Sequence, residues 1–265
     1  RKRFRIIAFL AFFFGIVMAV SQYFEFVSKT VYEESVSHLT EVFHQSDNML
    51  GELTHKNLMY LHMWSEYLQD APSESKIRDY IDKAQKDAGF LYFYFLSADG
   101  NYKMTTGETG YLGLQENIED EIQKGNDIIT NAAVPGKSQM LVFASPKAHG
   151  SYQGFKYDAI AIAYENADIV NVLDISAFNG KAKSYVLHPD GRVVIDHSLE
   201  SWGNVYNFFG ILREHTDISE KEILEISKKF KEGHTGAMLL NLDGKDYYLV
   251  YEKSDIQDWV FLGLV

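Results

Sequence analysis

Two periodicities divide the chain. Residues 6–24 are apolar apart from Gly15, Ser21, Gln22 and the phenolic end of Tyr23. Between 24 and 68 there is no proline, and Gly51 is the only glycine. Apolar or small residues recur there at Val27, Val31, Ser35, Leu39, Val42, Ser46, Met49 and Leu53. Steps of four and three predict one long helix with an interrupted heptad stripe, a seam between two copies in its earlier part and packing on the chain's own sheet in its later part, with Glu33, Glu34, Glu41, Gln45 and Asp47 on the polar side. Leu58, Leu61, Trp64 and Leu68 continue it as far as Pro72. Ile77, Tyr80, Ile81 and Ala84 mark the apolar side of a second helix, which Gly89 ends.

Beyond residue 90 the helical spacing gives way to short apolar runs and alternation, the mark of strands. Strands are expected at 90–96, 102–106, 128–133, 139–145 and 157–164. A loop is expected at 107–113, a short acidic helix at 118–123 stopped by Gly125, and a polar loop at 146–156. The second half repeats the theme: a linking helix at 169–175, a hairpin at 184–195, helices at 204–212 and 220–230, and strands at 237–242, 245–251 and 259–265. Ile218, Ile223, Ile226 and Phe230 give the apolar side of the later helix.

The hairpin over 183–198 has a counterpart upstream. Asp190-Gly191 separates Tyr185-Val186-Leu187 from Val193-Val194-Ile195, and Asp99-Gly100 separates 92–96 from 101–105. Asp-Gly between such runs predicts a tight turn, because glycine reaches positive φ without a Cβ clash. Superposing the two Asp-Gly pairs, 91 residues apart, places Phe95-Leu96 on Val186-Leu187 and Tyr102 on Val193. A repeat of that length is a small domain rather than a solenoid unit. Two strands, a helix and three strands is the order of a PAS-like five-stranded antiparallel sheet.

Composition narrows the choice. The net charge is −12, and Arg1, Lys2, Arg3 and Arg5 all precede the apolar run, so the rest is still more acidic. Such a body repels nucleic acid, and no basic stripe is present. There is no cysteine, which excludes disulfides and cysteine-based metal or redox sites. Residues 6–24 would span about 28 Å as a helix, close to the ~30 Å hydrocarbon core. The basic cluster before them puts the N-terminus in the cytoplasm by the positive-inside rule. A cleaved secretory signal ending near Ala19-Val20-Ser21 is the alternative.

The order of a membrane span, a long helix, a PAS-like module and a smaller module resembles the double Cache sensor domain of bacterial transmembrane receptors. The specific parts are residues 185–195 and the ending Asp243-Gly244…Tyr247-Tyr248…Tyr251…Trp259. The expected fold class is α+β: an N-terminal transmembrane helix continuing into a long stalk helix, then two tandem PAS-like antiparallel-sheet modules. The expected divisions are 1–27, 28–70, 71–170 and 171–265. The resemblance implies an extracytoplasmic body and a histidine kinase, diguanylate cyclase or chemotaxis output beyond a second membrane helix; the stripe on the stalk helix adds the expectation of a homodimer paired through it. The first residue, Arg rather than Met, and the ending in a strand suit a piece of such a receptor.

No reaction chemistry is legible. The nine histidines form no His-Glu-x-x-His or close triplet. Asp196-His197 with His188 across the hairpin could hold zinc, and is more simply a polar pair near a surface turn. No nucleophile elbow, P-loop or dinucleotide fingerprint occurs, so no catalytic residue, metal or cofactor is assigned. The resemblance implies a small-molecule ligand in the membrane-distal module, with Trp64, Tyr92, Tyr94, Tyr102, Thr105, Lys147, Asp158 and Tyr164 as candidates. Each aromatic also fits an ordinary sheet–helix core, and Lys147 and Asp158 a solvated loop. Many amino-acid-binding members carry an Arg then a Trp that clamp a carboxylate. Here Arg78 is the only Arg between Arg5 and Arg192, so an uncharged or cationic ligand is as well supported. The competing class is a protein-interaction module whose pocket is filled by its own side chains.

Overall fold

The computed structural model describes residues 2–70, 73–114, 117–133, 139–173, 182–197 and 207–265, with backbone alone for 2–11, 133 and 197. Helix α1 (Lys2–Asp70) runs unbroken for 69 residues, about 100 Å at ~1.5 Å per residue. Its buried side is Ser35, Leu39, Phe43, Ser46, Leu50, Thr54, Asn57, Leu61, Trp64 and Ser65. The recurring steps of four, four and three follow the 3.6-residue turn of a helix lying on a sheet, not the seven-residue repeat of a seam. The expected packing of the later part of α1 on the chain's own sheet holds, while the expected residues of the stripe are corrected. Val31 and Met49 are exposed, while Phe43 and Leu50 take the core positions. A strict heptad drifts about 20° per repeat around a straight helix, so it leaves the buried side within a few turns.

Among the described residues no helix is long and apolar enough to cross a membrane. Of the expected span 6–24, the side chains of 6–11 lie outside the described residues. Its described remainder exposes Phe12, Phe13, Phe14, Val17, Val20 and Phe24.

Helix α2 (Glu74–Ala88) ends at Gly89, whose φ of 77° forms the left-handed C-cap. The first sheet comprises β1 (Tyr92–Leu96), β2 (Asn101–Lys103), β3 (Thr109–Tyr111), β4 (Ile128–Ala133), β5 (Gln139–Ser145) and β8 (Ala159–Glu165), in the order β3-β2-β1-β8-β5-β4. Helix α3 (Glu119–Lys124) precedes β4, and β6 (Gly150–Tyr152) pairs with β7 (Phe155–Tyr157) as a separate ribbon. Three expectations are corrected. The loop 107–113 contains strand β3, the polar loop 146–156 folds as the β6–β7 hairpin, and the strand expected at 102–106 stops at Lys103. The first sheet therefore has six strands rather than five.

Helix α4 (Asn166–Leu173) leads to the second sheet. Its strands are β9 (Lys183–Leu187), β10 (Val193–His197), β11 (Gly236–Leu242), β12 (Lys245–Lys253) and β13 (Val260–Leu264), in the order β10-β9-β13-β12-β11. Helices α5 (Phe208–His215) and α6 (Glu220–Lys231) lie between β10 and β11 in sequence. Without β3, both sheets read second-first-fifth-fourth-third, so the second half repeats the topology of the first.

One apolar core joins the two modules. Leu39, Phe43, Leu50, Leu61 and Trp64 of α1 pack with Phe93, Phe143 and Ile162 of the first sheet and with Val186, Val250 and Phe261 of the second. The far faces have separate covers. Leu112 and Ile118 lie with Tyr94, Tyr102 and Val142 on the first, and α5 and α6 cover the second through Phe208, Leu212, Ile223 and Phe230. Polar bonds fix the junction. Asn131 Nδ2 donates to the Val193 carbonyl at 2.9 Å, and Asn166 exchanges two bonds with the Asp196 backbone at 2.7 and 2.9 Å.

Candidate ligand site

At the turn the hairpin repeat holds bond for bond; one pair further on a bulge in β10 sets Ile195, not Val194, opposite Val186. Ser97 N–H donates to the Asn101 carbonyl, and His188 N–H to that of Arg192. Gly100 and Gly191 close their turns onto Ser97 and His188 with φ of 85° and 86°. Asp99 Oδ1 accepts from Asn101 N–H at 3.2 Å, and Asp190 Oδ1 from Arg192 N–H at 3.1 Å. The Ser97 hydroxyl and the Asn101 backbone hold the Asp99 carboxyl below its ordinary range. Each pair of interacting positions lies 91 residues from its counterpart.

At the first of these turns a cleft of about 820 Å³ opens. Asp99 of the turn, Asn101 and Tyr102 of β2, Gly110 of β3, Glu119 at the start of α3, Phe155 and Lys156 of β7, and Asp158 line it. Asp158 Oδ2 accepts from Ala98 N–H at 2.9 Å, which fixes one carboxylate against the turn. Tyr102 donates its phenol to Glu108 at 3.2 Å, leaving its ring along the wall. Three carboxylates therefore face one lysine beside two aromatic rings. Such a surface attracts a cation by charge and by the negative faces of the rings.

The eight expected residues do not form one group. Tyr92, Tyr94 and Tyr102 share the far face of the first sheet, with ring centroids 5.9 and 4.7 Å apart. Tyr94 is fully buried, and burial together with Tyr102 pushes its phenol well above the ordinary range. Trp64 and Tyr164 lie on the opposite, α1-facing side. Trp64 packs on Phe90 and Phe93 at 5.2 and 5.9 Å. Tyr164 donates to Asn57 at 2.8 Å, and burial raises its phenol to about 12. Thr105 is buried, and its carbonyl accepts from the Tyr152 hydroxyl at 3.5 Å. Lys147 Nζ meets His62 Nδ1 at 3.1 Å, and His62 Nε2 meets Asp127 at 2.7 Å. Only Tyr102 and Asp158 of the eight line the cleft.

Sequence reasoning missed Glu119, Phe155 and Lys156. Gln153-Gly154, with φ of 48° and 76°, is the turn signal that could have revealed the β6–β7 hairpin and set Phe155 in place. No reaction centre emerges near α1. Ser145 donates to Asp127 at 2.7 Å and His62 bonds the same carboxylate, so Asp127 sits between them. A nucleophile triad needs the histidine in the middle. Among the described residues no group of three or more His, Asp or Glu is placed to hold a metal. The side chain of His197 lies outside the described residues.

No protein-family model and no curated protein sequence matches the chain. Solved structures do. The extracellular domain of mmHK1S-Z3, described as a histidine kinase, superposes with a TM-score of 0.61 at 13% identity, over 89% of this chain and 94% of that one. The ligand-binding domain of the Pseudomonas aeruginosa PAO1 amino acid chemoreceptor PctB, in complex with L-Arg, gives 0.60 at 15% identity over 88% and 95%. The sensory domain of the Campylobacter jejuni chemoreceptor Tlp3, with isoleucine bound, gives 0.53 at 10% identity over 91% and 96%. This chain has the double Cache fold. The two sheets are its two Cache modules, and the cleft lies at the hairpin end of the first.

Proposed function

We propose that this double Cache chain is the extracytoplasmic ligand-sensing part of a membrane signalling receptor and carries out no reaction itself. In this reading residues 6–24 anchor it, and residues 25–265 lie outside the cytoplasm as a stalk (28–70), a distal module (71–170) and a proximal module (171–265). The membrane-near part of α1 pairs two copies. A small molecule binds the distal module, and a kinase or cyclase domain elsewhere in the receptor reads the resulting displacement. The observation that carries the proposal is the cleft holding Tyr102 and Asp158, with its excess of carboxylates. It favours an amine or another cationic ligand of a few to a dozen heavy atoms. Closure on the ligand would shift β2, β3 and β7 against β1 and so press on α1. A state preference of about 1.4 kcal/mol changes a two-state ratio tenfold.

The test is thermal unfolding of the chain in neutral detergent against matched panels of amines, neutral amides and carboxylates. Amines at 100 times their Kd should stabilise by about 2.7 kcal/mol. The double variant Asp158→Asn, Glu119→Gln should weaken them at least tenfold. Stabilisation by carboxylates alone, or no change in the double variant, would overturn the assignment. A second reading, a protein-interaction module with no small ligand, draws on one observation: Trp64 and Tyr94 are sealed by their own neighbours, at 2% and 0% exposure.

A further inference from the structure

Four strands form the edges of the two sheets, and three of them are protected. β3 has only three residues, too few to template another chain. β4 is bridged by Leu114 at Ala132. β10 is covered by Asn131 and Asn166, whose side chains take up its backbone groups.

β11 is different. It runs for seven residues without charge, proline or bulge. Leu242 and Lys245 close a two-residue turn, so the backbone groups of Leu242, Leu240 and Met238 face β12. Tyr248, opposite Leu239, bonds Val265 on its other side. The N–H and C=O groups of Ala237, Leu239 and Asn241 therefore point off the sheet. Among the described residues they have no partner. Natural sheets seldom leave so long and bland an edge open unless something pairs with it.

Beside this edge a groove of about 430 Å³ runs between β11 and α6. Ile218, Ile226 and Met238 form its apolar floor; Asp217 and, on α6, Glu222, Glu225 and Lys229 also line it, so its charge is net negative. We propose that β11 is a docking edge for an extended, lysine- or arginine-bearing segment of a partner protein. The segment adds as a sixth strand to the proximal sheet, with alternate side chains over the groove. Charge decides the occupant. A second copy pairing β11 to β11 about a two-fold axis would bring two linings of the same net negative charge to one seam. A basic strand places opposite charge there instead. The proposal is independent of the distal cleft, and either can fail alone.

The test uses the chain in neutral detergent with two blocked heptapeptides, one alternating lysine and valine and the other glutamate and valine. The lysine peptide should bind at least tenfold tighter, lose affinity as salt rises, and slow hydrogen exchange at the Leu239 and Asn241 amides at least tenfold. Leu239→Pro removes only an outward donor, so the sheet should stay folded, with exchange at Leu262 unchanged, while binding falls at least tenfold. Glu225→Lys, on the helix surface, leaves two charges of each sign in the lining and should abolish the preference between the peptides. Equal binding of both peptides by the unaltered chain, or full binding by the proline variant, would overturn the proposal. So would a dimer in sedimentation that the proline variant dissociates, because the edge would then belong to a second copy.

Discussion

At the hairpin end of the first module, distal to the second, proximal one in the proposed arrangement, Gly100 looks onto Tyr111, a ring 57% exposed on the short edge strand β3. At the same place in the proximal module, Gly191 looks onto Phe209, which is 5% exposed and stacks at 5.9 Å on Phe230 of α6. In both modules the segment after the turn donates to the glycine carbonyl, through Leu112 N–H in one and Phe208 N–H in the other. Past that bond the two chains diverge. The distal chain, having reached that bond through the three-residue strand β3, leaves an open cleft rich in carboxylates. The proximal chain turns at once into α5, because Asn207 caps the helix by accepting from Phe209 and Gly210. The corresponding cleft shrinks to about 460 Å³ and carries both signs: Asp190 and Asp258 with Arg192 and Lys231. A repeated module thus keeps an open cleft or a packed cover according to what lies over one turn.

The sharpest way to break this comparison is to add the same methyl group to both turns. An alanine at either glycine adopts a left-handed backbone, costing about 1 to 2 kcal/mol. At Gly191 the new Cβ would also lie 2.5 Å from a buried Phe209 ring atom, and overpacking adds about 1 to 3 kcal/mol. At Gly100 the contact is 2.9 Å to Tyr111, which can swing into solvent. Gly191→Ala should therefore lose about 2 to 5 kcal/mol in denaturant unfolding, and Gly100→Ala about 1 to 2. Equal losses would mean that the covers do not differ in rigidity.

A smaller effect tests how firmly the distal module holds the proximal one. Asn131 is fully buried and satisfies the Val193 carbonyl on the edge of β10. Asn131→Ala strands that carbonyl, at a cost of about 1 to 3 kcal/mol. Amide exchange should quicken along β10 more than along β1. If instead both strands change alike, the bond serves general stability and the modules are not coupled through it.

The sequence made part of this comparison legible and hid the rest for identifiable reasons. The Asp-Gly repeat was readable because two residues determine that turn locally. Tyr92 and Tyr94 could be paired on one face, since period two needs no knowledge of other strands. Trp64 and Tyr164 could not be separated from them. Trp64 sits on α1 itself, and the side of Tyr164 depends on the register Tyr92↔Ala163, which turns Tyr164 towards α1 and which no local pattern encodes. β3 and the β6–β7 ribbon escaped notice because strands of three residues are held by turn geometry rather than by an apolar run. On α1 the heptad reading failed through a drift of about a tenth of a residue per turn, enough to exchange Met49 for Leu50.

The subtlest contrast lies in how each module is fastened to α1. The distal module sets unlike groups together: His62 between Lys147 and Asp127, and Asn57 on Tyr164. The proximal module sets like groups together. Asp47 of α1 accepts from the Ser254 hydroxyl and, at 2.9 Å, from Asp255 N–H. Glu252 of β12 lies near both acids, its Oε2 buried with no hydrogen-bond partner. Burial raises the Glu252 carboxyl above its ordinary 4.5, Asp47 and Asp255 add to the rise, and His44 opposes it. A pKa raised on folding means that the protonated acid is favoured in the folded state. That stabilisation is complete below about pH 4.5 and is lost as pH climbs through the raised value. Glu252→Gln mimics the protonated acid at every pH. Its stability relative to the parent should be level below about pH 4.5 and should climb steadily from there towards neutrality, a modest gain because the side chain is only partly shielded from solvent. A matching series with Asp127→Asn at the distal fastening should show no such gain near neutrality, since that change removes one of two complementary partners. If Glu252→Gln tracks the parent across the whole range, Glu252 reaches water freely and the two fastenings do not differ in kind.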